Sequence, residues 1–185
     1  MVGQENCMSL NDESVFFQNL LLDIMTRRAV FRKFESELKK TKLTTYNDIV
    51  WLVWYGYAIS QLSDCRKFFA RDGKAHSFQF VVRHIKDESL KNRHAELFEK
   101  WRSDKLEAII NKHMLHADQG ADGTKPEVSV TVLDAFIDNL EKYLKDIIAH
   151  LNINYQGISS LNYDAYLGDR ELEVDTFFSE IRKSQ

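Results

Sequence analysis

Residues 11–40 read NDESVFFQNLLLDIMTRRAVFRKFESELKK, and their spacing decides the fold class. Phe17, Ile24, Phe31 and Leu38 recur every seven residues, and Leu20, Leu21 and Phe34 fill the same stripe. Side chains so spaced share one face of an α-helix. The stretch therefore predicts an amphipathic helix reaching Lys40, about 42 Å long at 1.5 Å per residue. Arg27, Arg28, Arg32 and Lys33 form its polar face, and Asn11 or Asp12 is the expected N-cap.

The rest of the chain agrees with this start. It has 185 residues, with only one proline and seven glycines. A sandwich or barrel needs many Gly- and Pro-rich turns, so both are disfavoured. Hydrophobic residues make up 44% and charged residues 29%, which supplies a core and excludes collagen-like and disordered classes. The expectation is all-α: an up-and-down bundle of five to seven helices in one domain, 1–185. Its core would span about 11–155, with a C-terminal helical extension over 156–185.

A second helix is expected after a short link, with Thr45 and Asp48 as a capping pair. It should end near Arg71, with Gly73 as the stop. Ile49, Val50, Trp51, Leu52, Val53, Trp54, Tyr55, Tyr57, Ile59 and Leu62 run almost all around it. A helix apolar on every side is buried on every side, either at the bundle centre or in a subunit interface. Trp51, Trp54, Tyr55 and Tyr57 are accordingly assigned to the core rather than to base stacking.

Ser77 is positioned to cap a short helix bearing Phe78, Val81, Val82 and Ile85. A charged helix follows from Asp87 to Trp101. Another starts near Ser103 or Asp104 and stops around Ala117. Residues 118–127, DQGADGTKPE, form the clearest loop. Thr131 and Asp134 suggest a capping pair for a long amphipathic helix over 131–154, lined by Val132, Phe136, Leu140, Leu144, Ile147, Ile148 and Leu151. VSVTV, 128–132, alternates like a strand but is too isolated to build a sheet. Leu172, Phe177, Phe178 and Ile181 predict a short terminal helix.

Net charge is −3, unlike a strongly basic nucleic-acid domain. Residues 1–105 carry 18 Lys+Arg against 14 Asp+Glu, and residues 106–185 carry 7 against 14. The first half is thus mildly basic and the second acidic. Cys7 and Cys65 form no disulfide framework or metal motif, which points to a reducing cytoplasm. The N-terminus lacks a basic start and an apolar run, so no signal peptide is expected. The longest apolar run, Ile49 to Ile59, is too short to cross a bilayer.

Chemistry concentrates in IINKHMLHAD, 109–118. Residues three apart on a helix are neighbours, so His113 and His116 can share a face. Imidazole suits proton transfer near neutrality, and Lys112 can hold a phosphate as a point charge. The alternative is that Lys112, His113 and His116 only complement a helix C-terminal dipole. A metal reading of His113, His116 and Asp118 lacks a further convergent ligand, so neither a metal nor a cofactor is expected. His76, His84, His94 and His150 are scattered and expected at the surface or at helix ends. The basic run 83–94 is expected to be a solvated face. Cys65 has no identifiable His partner, and neither a Gly-rich phosphate loop nor a nucleophile elbow occurs.

The 111–118 segment resembles the signature of HEPN domains, all-helical domains common in phage-defence and toxin–antitoxin systems, and most nearly the abortive-infection HEPN family. That signature runs Arg, a polar residue, often Lys, a few variable residues, then His and often Asp. Asn111 matches the polar residue, Lys112 the Lys, His116 the His and Asp118 the trailing Asp. Ile110 stands where the family has Arg. The resemblance implies a cytoplasmic homodimer that cleaves RNA without metal, or a degenerate RNA-binding relative, with an antitoxin-type protein as a further partner. His116 would be the acid–base group, with Asn111 and Lys112 positioning phosphate and His113 and Asp118 nearby. Arg stabilises phosphate charge through a planar fork that Ile cannot replace. Arg66, Arg83 and Arg93 are the substitutes considered. The competing expectation is a non-enzymatic helical interaction or dimerisation module.

Overall fold

The computed structural model describes residues 9–41, 48–69, 78–114, 129–152 and 160–183, with the side chains of 111–114, 160–164 and 166 excepted. Among the described residues there are seven helices and no strand: α1 Leu10–Leu38, α2 Asp48–Lys67, α3 Phe78–Arg83, α4 Glu88–Ser103, α5 Leu106–Met114, α6 Val130–Leu151 and α7 Ser160–Lys183. The all-α bundle read from the sequence is the observed fold.

α1 is the organising element and touches α2, α3, α6 and α7. Its cap is Ser9, not Asn11 or Asp12. Ser9 Oγ accepts the Asp12 amide at 3.2 Å, and the Asp12 carboxylate accepts the Ser9 amide at 3.2 Å, a complete capping box. Two orphan N–H groups are satisfied reciprocally this way. Phe17, Ile24 and Phe31 are buried as the heptad spacing requires, while Leu38 is only half-buried.

The main core cluster draws buried residues from each of α1 to α6. Phe17 packs its ring on Phe68 and Phe78, at centroid distances of 5.1 and 4.9 Å. Trp101 of α4 packs on Phe136 of α6 at 5.4 Å. α6 is the most regularly amphipathic helix and buries Leu133, Phe136, Ile137, Leu140, Tyr143, Leu144 and Ile147. It starts at Val130 after Ser129, so the expected Thr131–Asp134 cap is displaced, and 130–132, part of the strand-like run, is helical. Asn152 closes α6 at φ 49°, a left-handed position that Asn tolerates better than most residues.

Polar contacts fix the register of α1 against its neighbours. Arg28, 9% exposed, pairs with Asp138 at 2.5 Å and Glu141 at 3.3 Å on α6. Arg32 pairs with Asp134 at 3.0 Å. Gln61, fully buried on α2, donates to the Ile24 carbonyl at 2.8 Å. Arg27 reaches Ser60 and Asp64 of α2. Burial raises the Asp64 pKa, but hydrogen bonds from Lys67 and Arg27 outweigh it and hold the carboxyl below its usual range.

α7 differs from its expectation. It is a 24-residue helix rather than a short one, and it lies along α1. Phe178 is fully buried and packs on Phe34 at 5.2 Å. At the end of α1, the buried Glu37 carboxylate accepts from Arg182 at 3.0 Å and from Lys40. Those two hydrogen bonds, Lys40 first, hold the Glu37 pKa below the usual carboxylate range.

α2 departs most from the sequence reading. It is not central. Val50, Tyr57, Ala58, Leu62 and Cys65 are buried, but Trp51, Trp54 and Tyr55 are only half-buried. Ile49 is 68% exposed, Leu52 58% and Val53 38%. The core-facing stripe of α2 packs on α1, α5 and α6, and α7 borders its other side only across a groove, at Arg170 and Val174. The expected capping residue Thr45, and Gly73, lie outside the described residues.

Candidate functional site

α5 carries the sequence-predicted cluster. It leaves α4 through a short turn in which Lys105 takes φ 59°. A non-glycine residue here costs on the order of 1–2 kcal/mol, which neighbouring packing must offset. Leu106 and Ile110 follow four residues apart, 1% and 0% exposed. They anchor α5 to the core, and α5 packs against α2 and α4.

That packing gives Ile110 a definite role. The position matching the family's Arg is a core position here. Asn111 and Lys112 follow it in the last turn, about 100° and 200° further round the helix axis. The side chains of Asn111, Lys112 and His113 lie outside the described residues, as do His116 and Asp118 entirely. Of the substitute arginines, Arg66 is exposed in the last turn of α2 and Arg83 is exposed at the end of α3. Arg93 on α4 is ion-paired with Asp146 of α6. Arg66 and Arg93 thus sit on the helices that hold α5, whereas α3 packs chiefly on α1.

The histidines divide differently from the sequence expectation. His84 is exposed, its Nδ1 2.8 Å from the Phe80 carbonyl. His150 Nε2 accepts the Lys86 amide at 3.4 Å. His94, expected at the surface, is 7% exposed. It stacks between Phe69 at 5.8 Å and Tyr143 at 5.9 Å. Gln79 Nε2 lies 3.0 Å from His94 Nε2, so the amide donates to a neutral imidazole, and Nδ1 is buried without a partner. Burial pushes the His94 pKa down to about 4. It is a core residue, not an acid–base group. Cys65 is likewise fully buried, with its thiol pushed up to about 12, and is unreactive.

Among the described residues no three His, Cys, Asp or Glu side chains converge as metal ligands. No described helix is long and apolar enough to cross a membrane.

Two surface features stand out; the sequence reading allowed for the first, as an interface on α2, and missed the second. The first is the outer face of α2, where Ile49, Leu52, Val53 and Gly56 stand at helical spacing, and no charged residue occurs between Asp48 and Asp64. It continues into a largely apolar groove of about 550 Å³ between α2 and α7, lined by Val53, Gly56 and Val174 and by Val30 and Phe34 of α1, with Arg27 and Arg170 also in its lining. A Cβ built on Gly56 would meet nothing within 4 Å, so the backbone is open to close approach there. The second is a smaller pocket between α1 and α2, lined by four aromatic residues and by Glu35. The groove is built from three helices and the pocket from two, so no single periodicity announces either. A scan against protein-family models, a search of curated proteins and a search of solved structures each found no match for this chain.

Proposed function

We propose that this chain is a non-enzymatic helical interaction module that pairs with a second copy of itself through the outer face of α2. The observation that carries this reading is the exposed stripe of Ile49, Leu52 and Val53, at 68%, 58% and 38%. Single exposed apolar residues are ordinary. A stripe at helical spacing, continuous with an apolar groove, is what partner surfaces look like. Its lack of charge favours a second copy. A two-fold axis sets the same stripe against itself and so buries no unpaired charge, and the arginines of the adjoining groove, Arg27 and Arg170, are already paired with Asp64 and Glu173. Leu52→Glu places like charges across that axis. It is expected to turn a dimer into a monomer in sedimentation velocity, with the helical circular dichroism unchanged. A wild-type chain that sediments as a monomer at the highest attainable concentration overturns the reading.

A second reading keeps HEPN-like chemistry at 111–118. It is favoured by the last turn of α5, which carries Asn111, Lys112 and His113 in succession just before His116 and Asp118. In this version two subunits meet across that helix, His116 moves the proton, and Asn111 and Lys112 position the phosphate. An antitoxin-type partner would then co-purify. With Ile110 in the core, the charge on the phosphate falls to Lys112, or to Arg66 or Arg93. Cleavage of single-stranded RNA in the presence of a chelator, lost in His116→Ala with the helical spectrum intact, is the expected result of this version. A wild-type chain that cuts no RNA removes it.

A further inference from the structure

We propose that the pocket between α1 and α2 binds a small organic cation of the quaternary ammonium type. Phe31, Phe34, Trp51 and Trp54 line it together with Leu38 and Val50, and among the described residues Glu35 is its only ionisable one. Its volume is about 140 Å³. That is the space of about four or five waters, matched to a trimethylammonium head rather than to a nucleotide or a peptide segment.

The lining favours a cation with an apolar skin. Indole and phenyl rings attract cations through their quadrupoles, most strongly when the cation is weakly hydrated and water is excluded. Aromatic walls alone would accept any apolar group. Glu35 makes the difference. Its side chain is half-buried and has no hydrogen-bond or ion-pair partner among the described residues, whereas Glu37, on the same helix, is held by Lys33, Lys40 and Arg182. Burial raises the Glu35 pKa, and the charge of Asp134 raises it further. Lys39 and Arg32 oppose the shift without reversing it. Both cations are exposed, and Arg32 is engaged by Asp134. The carboxylate is therefore partly desolvated and undercompensated. A bound cation would supply the missing charge while its alkyl groups fill the aromatic space.

A quaternary ammonium ion has no N–H donors, so its recognition rests on rings and on one carboxylate at short range. Those are the groups present. Lysine or guanidinium heads need acceptors for several N–H groups, and among the described residues the pocket offers one carboxylate.

Titration of the intact chain with tetramethylammonium and with choline, followed by tryptophan fluorescence and calorimetry, tests the assignment. Saturable binding is expected, and potassium chloride at equal ionic strength should give none. Glu35→Gln, which keeps the side-chain shape, should weaken binding at least about tenfold. Trp54→Leu should weaken it similarly while the helical spectrum is kept. The neutral choline isostere 3,3-dimethylbutanol should bind much more weakly than choline. Equal binding of the isostere, or an unchanged affinity in Glu35→Gln, overturns the proposal and leaves a plain apolar pocket. Binding of a trimethyllysine peptide without binding of either free cation also overturns it, in favour of a protein partner. Leu52→Glu, which breaks the proposed dimer, should leave the cation affinity in place, because Leu52 does not line the pocket.

Discussion

Ile110→Arg is expected to abolish cooperative folding, although it restores the residue that HEPN-like signatures carry at this position. Ile110 is 0% exposed and shares the buried stripe of α5 with Leu106. An arginine there must either bury a guanidinium or pull α5 off α2 and α4. An unpaired buried charge costs several kcal/mol or more, against a total stability of about 5–15 kcal/mol for ordinary domains. Ile110→Val removes one methyl group and should cost about 0.5–1.5 kcal/mol. Ile110→Ala should fall at about 2–5 kcal/mol. Urea unfolding of the three variants orders them Val, Ala, Arg. An Ile110→Arg chain that melts like wild type would show that α5 sits in another register, with that position open to solvent. The RNA reading would then regain its missing group.

Acid should weaken the fold through His94 as pH falls from about 6.5 towards about 4. The unfolded imidazole takes up a proton near 6.5, but the folded one resists it down to about 4. Between those values the unfolded state binds more protons, so stability falls as pH falls. Each pH unit between the two values removes about 1.4 kcal/mol, so the loss reaches about 3 kcal/mol by about pH 4. Glu37 and Asp64 have depressed values, so their contributions are present above the unfolded carboxylate pKa and are lost as pH falls through the folded values. His94→Gln removes the titrating group and leaves an amide that can still meet Gln79. Wild type and variant should be compared by urea unfolding from above pH 6.5 down to about 4. The difference in stability should close or reverse by about 3 kcal/mol. Parallel curves would mean that His94 is protonated or exposed in the folded state.

The candidate site was legible in unequal parts. The motif residues 111–118 were visible because chemistry-bearing types crowd a short stretch. Leu106, Ile109, Ile110 and Met114 were legible as the apolar residues of this helix, but only packing shows that Leu106 and Ile110 are the fully buried pair. His94 went the same way. Its helix is charged, with exposed residues such as Glu96, Glu99 and Arg102 on its outer face. The imidazole lies inside because Phe69, Phe78 and Tyr143, from three other segments, meet around it. Glu35 looked like one more charge on α1. Phe31 and Phe34 stand beside it on α1, but only the approach of Trp51 and Trp54 from α2 closes an aromatic pocket around it.

The sequence by itself determined the helices. Their periodicity is local, and so is the scarcity of glycine and proline, and both act through backbone geometry within a few turns. That sufficed to place α1, α4 and α6 within a few residues. Tertiary structure decided which apolar face meets which. α2 is the clearest case, for a helix apolar all round carries no record of which side its neighbours take. Packing on α1, α5 and α6 buries Tyr57, Leu62 and Cys65 and leaves Leu52 and Val53 in solvent. Burial is a property of pairs of surfaces, and a single chain segment encodes only one member of each pair.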